Sequence, residues 1–472
     1  MKLYEQFSTE LKDSIEHGYY QPGQKLPSMR DMSAIRGVSI STVQEAYRLL
    51  EDTGVVISKP KSGYFVQQIQ NTDLLPDISR PEQKPVEVVY WDEVLKLTTT
   101  ENTHSFMALG SGSPNTNFKT LKPFHRIFAD IARKQPQRMY ENSKGKGLEH
   151  LRVQIARLMQ TAGCYSHPDD IVITSGCQEA LSLSLKAVTK PGDIVAIDSP
   201  SFYGSMQAIQ SNNLKVIEIP THPQTGISLP AFEMALEQWP IKAIQLVPNA
   251  NNPLGYLMPE DKKKKLLTLA SRYNFVIIED DIWADLAFQK PRPSTIKSFD
   301  TEGRVLMCSS FSKTVAPGLR VGWVAAGGYV KLLTHLKFIT TLGSATLPQM
   351  AMAEFIQQGL YEKHTRYSKQ QYQRGRDIMI NWVHRYFPIG TKISYPQGGL
   401  CLWVEMPEVI DSFELNENLQ VFNIGIAPGA LFSANGKYKN CLRLNYSAVP
   451  NEKIEAAIKI IGDQAKLLLQ KE

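Results

Sequence analysis

Four short stretches of this sequence carry side chains that together suit one phosphorylated aldehyde. Ser310-Phe311-Ser312-Lys313 sets a lysine in a serine-rich loop, and Arg320 follows seven residues later. A lysine desolvated in such a loop can condense with an aldehyde, while Ser310, Ser312 and Arg320 neutralise a phosphate. FVIIEDD ends an apolar run on Asp280, which can hold a pyridine nitrogen protonated. LVPNANNPLGY puts Asn252 in a turn, where its amide can donate to a phenolate oxygen. DIVITS runs into Gly176-Cys177-Gln178, a strand opening onto a helix start whose bare amides favour a phosphate. Singly, each has an ordinary explanation: a helix cap, a surface lysine, an ion pair. The chemistry lies in their combination.

These residues must be positioned by regular elements. From about residue 100 onward, apolar runs alternate with helical stretches: DIVITS, DIVAID, AIQLVP, FVIIEDD, RVLMCSS and RVGWVAAG. That alternation predicts an α/β domain on a mostly parallel sheet, with ligands beyond the carboxyl ends of its strands. In the order SGCQ, NNPLG, EDD, SFSK…GLRVG, the motifs resemble the aminotransferase-like, type I pyridoxal-phosphate fold over about residues 100–472.

The resemblance implies pyridoxal 5'-phosphate as cofactor, with Lys313 as the Schiff-base and catalytic lysine, Asp280 as pyridine partner and Asn252 on the phenolate oxygen. Gly176, Cys177, Gln178, Ser310, Ser312 and Arg320 fall in the phosphate cradle. Phe202 falls where an aromatic ring stacks on the cofactor, with Tyr203 as the adjacent alternative. Tyr140 resembles the tyrosine that reaches the neighbouring subunit's phosphate, which implies a homodimer. Arg443, in CLRLNYS, resembles the arginine that binds a substrate carboxylate; an internal ion pair is the other reading. Trp283 stands where many relatives carry a tyrosine. An indole can donate but neither accept nor ionise, so cofactor binding is expected to persist while transamination suffers.

Ahead of this body, residues 1–68 read as a separate module. Leu3, Phe7, Leu11 and Ile15 recur every four residues as one apolar helix face. Ser28 with Asp31 reads as a capping box for a second helix. Gly37 stops that helix, and Ser39 caps a third on which Val43, Ala46, Tyr47 and Leu50 face inward. Two short helices joined by a tight turn are the helix-turn-helix arrangement, and the start of the later helix meets base edges in the major groove. Val55–Ser58, then Lys59-Pro60-Lys61-Ser62-Gly63, then Tyr64–Val66 reads as a hairpin wing.

The whole run resembles the winged helix-turn-helix of GntR-type regulators, most specifically in PGQKLPSMR and SGYFV. Its DNA-facing set is Lys25, Ser28, Arg30, Ser39, Ser41, Thr42, Gln44, Lys59, Lys61, Ser62 and Gly63. Arg36 joins the basic residues expected to face phosphates. That family often has an arginine after the capping serine; here it is Ile40. Residues 1–67 hold eight basic and eight acidic residues, so distribution rather than total charge supports a double-stranded DNA operator.

Residues 69–99, proline-bearing and mostly polar, have the composition of an extended tether between the two parts. Together they resemble the architecture of MocR-type regulators. That implies an amino-compound effector forming an external aldimine on the cofactor and signalling to the DNA-reading heads. An aminotransferase with an accessory DNA-binding domain is the alternative.

The remaining features exclude rather than assign. Apolar residues make up 42% and charged residues 21% of the 472, which rules out wholesale disorder. No apolar stretch is long enough to span a bilayer. No leader pattern opens the chain, and five cysteines without a Cys-x-x-Cys pair fit a reduced cytoplasm better than a disulfide or zinc framework. Gly110-Ser111-Gly112-Ser113-Pro114 is no Walker loop, since no Gly-Lys-Ser/Thr follows. Lys262–Lys265 reads as the solvated start of a helix, and the nine histidines have no metal-ligand spacing.

Overall fold

The structure is a computed structural model and describes residues 2–16, 19–20, 23–59, 62–67, 75–89, 91–99 and 106–470. Three helices form the head: α1 (Leu3–Glu16), α2 (Met29–Arg36) and α3 (Ile40–Asp52). Ser28 caps α2 by accepting from the Asp31 N–H, and Gly37 closes it at φ 64°, a left-handed turn that favours glycine. Ser39 caps α3 by accepting from the Thr42 N–H. Phe7, Leu11, Met32, Val43, Tyr47 and Leu50 pack into one small core with Val56 and Val66 of the wing. Leu3 departs from the expected apolar face: it is exposed at the free end of α1, beyond the reach of that core. Wing strands Val56–Lys59 and Gly63–Val66 pair antiparallel, Lys59 opposite Gly63. Lys61, expected at the wing tip, and Pro60 beside it lie outside the described residues.

Composition alone reads the stretch after the head as a tether, yet residues 75–89 are bonded to the body. Val86 exchanges backbone hydrogen bonds with Val216 at 2.8 and 2.9 Å, and the Thr221 N–H donates to the Ser79 hydroxyl at 2.7 Å. Extended backbone can add to an open sheet position whatever its side chains, which is why polarity hides it.

The body is built on a sheet that has eight strands among the described residues. Their order is Ile171–Thr174, Gly322–Ala325, Val305–Ser310, Val276–Asp280, Ile241–Leu246, Ile194–Ser199, Lys215–His222 and Gly226–Ile227. The five central strands run parallel, and Gly322–Ala325 lies antiparallel to both its neighbours. Helix Cys177–Val188 packs on one face with Leu181 and Leu185 buried. A smaller antiparallel sheet carries Cys441–Asn445 beside Cys401–Glu405.

A 27-residue helix, Leu360–Tyr386, spans about 40 Å between the ends of this architecture. One end meets the body beneath the lysine loop; the other meets the head. There Asp377 pairs with Lys12 at 3.1 Å, Arg374 with Glu5 at 3.8 Å, and the Asn381 amide donates to the Asp52 carbonyl at 3.1 Å. No helix among the described residues is long and apolar enough to cross a membrane.

The lysine-rich helix start is only partly solvated. Lys263 is buried, donating to Asn249 Oδ1 and the Ser294 carbonyl, both at 2.7 Å, while Lys265 stays outside with Asp261. Helical spacing turns one residue of any such run inward, and here a polar niche accepts it.

Candidate cofactor and effector site

Four strand ends bring the chemistry-bearing residues together. Strand Ile171–Thr174 passes into Gly176 at φ 93°, and helix Cys177–Val188 begins at once. A side chain cannot be added there: a Cβ on Gly176 would lie 2.3 Å from Arg320 Nη2. Arg320 donates to the Ser175 carbonyl at 2.6 Å and faces the Ser312 hydroxyl at 3.5 Å. Ser310, next along, accepts from the Ser312 N–H at 3.2 Å. A bare helix start, two serines and a guanidinium thus converge on a cradle that a Cβ would fill, which is what a phosphate needs.

Asp280, buried at the end of its strand, is oriented through one oxygen. Oδ1 accepts from the Ile282 N–H at 3.1 Å and from the Cys177 thiol at 3.4 Å. Oδ2 is therefore the oxygen available to a pyridine nitrogen. Burial pushes this carboxyl up to about 6, opposed by the Ile282 and Cys177 hydrogen bonds. Burial also holds the Cys177 thiol well above its ordinary value, so it remains an S–H donor.

Asn252 sits in a turn pinned from below. Asp198 accepts from the Asn251 amide at 2.6 Å and from the Tyr256 hydroxyl at 3.1 Å. Asn252 Oδ1 accepts from Arg443 Nη1 at 3.0 Å, so its amide nitrogen is the end that can donate elsewhere. Arg443 is fully buried, donates also to the Gly110 carbonyl at 2.6 Å and lies against the rings of both Tyr203 and Phe432. Phe202 and Tyr203 divide the work left open between them. Phe202 lies against Gly204, which accepts from the Gln178 amide, whereas Tyr203 turns toward the arginine.

Lys313 closes the site. Its Nζ donates to the Gly112 carbonyl at 2.7 Å and lies 5.4 Å from the centre of the Trp283 ring. Gly112 belongs to the glycine-serine loop that lacks a nucleotide-binding pattern, and it is the site residue that sequence reasoning missed. A Cβ there would meet Lys313, Arg443 and Trp283 within 3.8 Å. The GSGSP stretch was the available signal, tested against the wrong ligand. Tyr140 does not reach this site; it is 78% exposed.

At the head, the DNA-facing set is exposed except for Thr42, which is half-buried, and Lys61, which is outside the described residues. Lys25 leans against Gly63 of the wing, and Lys59 lies 4.6 Å from the Phe65 ring centre. Arg36 is drawn instead toward Glu10 of α1, at 3.8 Å.

Residues 105–461 match the family model "Aminotransferase class I and II", and residues 3–66 match "Bacterial regulatory proteins, gntR family". The chain belongs to the MocR-type regulators of the GntR family. It is 46% identical over 463 residues to the "Uncharacterized HTH-type transcriptional regulator YjiR" of Escherichia coli K12, covering 98% of both chains. YdcR of the same strain, with the same description, is 35% identical, again across 98% of each. Among solved structures, a kynurenine aminotransferase of Pyrococcus horikoshii is 32% identical with TM-score 0.74, covering 82% of this chain and 96% of that one. The cofactor of this MocR-type body is pyridoxal 5'-phosphate, and the cradle, Asp280 and Lys313 fit it. Once bound, it supplies an aldehyde that condenses with amines and a ring that withdraws electrons.

Proposed function

We propose that this chain is a pyridoxal-phosphate-dependent transcriptional regulator whose body senses an amino compound and whose head binds an operator. Lys313, Asp280, Asn252 and the Gly176–Gln178 and Ser310–Arg320 segments hold the cofactor. Arg443 holds a carboxylate on the effector, and Gly112 keeps the space between them open.

The long helix Leu360–Tyr386 carries this reading, because both sites bear on it. His364 bonds the carbonyl of Thr314, next to the cofactor lysine, at 2.8 Å, and Tyr372 accepts from the Asn115 N–H at 3.2 Å. Thirteen residues after His364, Asp377 holds Lys12 of the head. A ligand shifts operator affinity only if it favours one of two body states, and a stiff helix touching both sites allows that difference to be felt at the head. The reading also takes the assembly as a homodimer. Exposed Tyr140 reaches the partner's phosphate; the next residue, Glu141, accepts at its carbonyl from the Thr346 hydroxyl at 2.6 Å, two residues from Ser344, which bonds Ser175 at 3.2 Å.

The effector should change the visible absorbance and the operator affinity over one concentration range. Asp377→Asn should keep the absorbance change and lose most of the affinity change. Because Trp283 neither accepts a proton nor ionises, keto acid should accumulate slowly at most. Rapid multiple turnovers with a common amino donor would instead favour an aminotransferase.

Operator binding should weaken with salt. Lys59→Ala should reduce the slope of log affinity against log salt by about one counterion per head, measured by fluorescence anisotropy. An unchanged slope would remove Lys59 from the phosphate contacts.

A further inference from the structure

We infer that Ile40 reads the methyl group of a thymine, and that each operator half-site therefore presents an A·T pair to the start of α3. The inference rests on the head being a DNA reader. Ile40 is the first residue of α3 and is 48% exposed. It is not part of the head's core, which closes around Val43, Ala46, Tyr47 and Leu50 further along the helix, while Ile40 projects beyond that core at the exposed first turn. Local folding does not ask for it either, since a β-branched side chain is a modest helix former and an acid or serine suits a helix start better.

Its polar neighbours are already engaged. Ser39 Oγ accepts from the Thr42 N–H at 3.1 Å and shares hydrogen bonds of 2.8 Å with both the Ser41 and Thr42 hydroxyls. That cluster ties three hydroxyls to the cap and to one another. Ile40 and, one turn on, exposed Gln44 are left as the longer side chains projecting from the helix start. A carboxamide pairs with adenine N6 and N7 in the major groove, and the apolar group there is the thymine C5-methyl. The two side chains thus match the two halves of one kind of base pair.

The body leaves this end clear. It grips α3 at the other end, where Asn381 donates to the carbonyls of Asp52 and Glu51 at 3.1 and 3.4 Å. The 13 residues of α3 put about 20 Å between that contact and Ile40.

A duplex library with a randomised core, selected with the cofactor-loaded full chain, supplies the probe. Each thymine of the enriched duplex is then replaced in turn by deoxyuridine, which removes only the methyl. One thymine per half-site should lose about fourfold in affinity when its methyl is removed. Ile40→Ala should bind the thymine and uracil duplexes equally, at the wild-type affinity for the uracil one. Ile40→Arg should select guanine at that position. Wild-type indifference to every uracil, or persistent methyl sensitivity in Ile40→Ala, overturns the inference. A selection that enriches no sequence overturns the regulator reading itself, and this inference with it.

Discussion

Lys313→Ala should leave no cofactor that borohydride can fix to the body, while the wild-type chain retains about one per subunit. The geometry makes this all or none. Lys313 is the amine that reaches into the space bounded by Gly112, Trp283 and Arg443. Lys337, the buried lysine near the phosphate cradle, is held by Glu179 at 2.7 Å and by the Ser175 hydroxyl at 3.5 Å. The phosphate cradle does not depend on Lys313, so the variant should still bind cofactor reversibly, and dialysis should strip it. Its operator affinity should no longer respond to the amine, because the effector's attachment and the His364 contact beside Thr314 belong to the same loop. Cofactor fixed covalently to the variant body would sink the assignment.

Much of this site was legible because its residues follow strands, and strand ends are where an α/β sheet concentrates exposed backbone and dipole. Asp280, Asn252, Gly176 and the Ser310–Arg320 segment each close an apolar run, so order and spacing were enough to join them. Gly112 was not legible for the opposite reason. It lies 201 residues from Lys313, in a loop whose glycines meet a guanidinium, a lysine and an indole that arrive only on folding. The contribution of Leu360–Tyr386 was hidden in the same way. Its sequence reads as an ordinary amphipathic helix, and its contacts to Thr314 and Lys12 are set by packing rather than by any local pattern. In the head, helix period and capping serines were enough to find the elements, since both are local signals. The chain's unusual Ile40 was visible at once, but what it could touch became clear only when the neighbouring hydroxyls were seen to be engaged.

Asp280→Asn should act in opposite directions with and without cofactor, and the contrast tests the buried carboxylate more sharply than either half. In the cofactor-free chain burial raises this carboxyl from 3.8 to about 6. Below pH 3.8 it is protonated folded or unfolded, and it costs nothing. As pH rises from there to about 6, the unfolded chain releases a proton that the folded chain keeps, so stability falls. Above that the ionised carboxylate costs the folded chain about 3 kcal/mol. The amide that replaces it keeps the shape without the charge. The cofactor-free variant should therefore be more stable than wild type at about pH 7 by up to that amount. The advantage should shrink toward zero as pH falls from about 6 to about 4, in urea midpoints taken across the range. With cofactor the sign reverses, because a pyridinium in this site needs the anion that the variant lacks. Losing one partner of a buried pair should weaken retention at least about 100-fold. A variant that is less stable without cofactor yet holds it as tightly as wild type would show that Asp280 faces something other than the ring nitrogen.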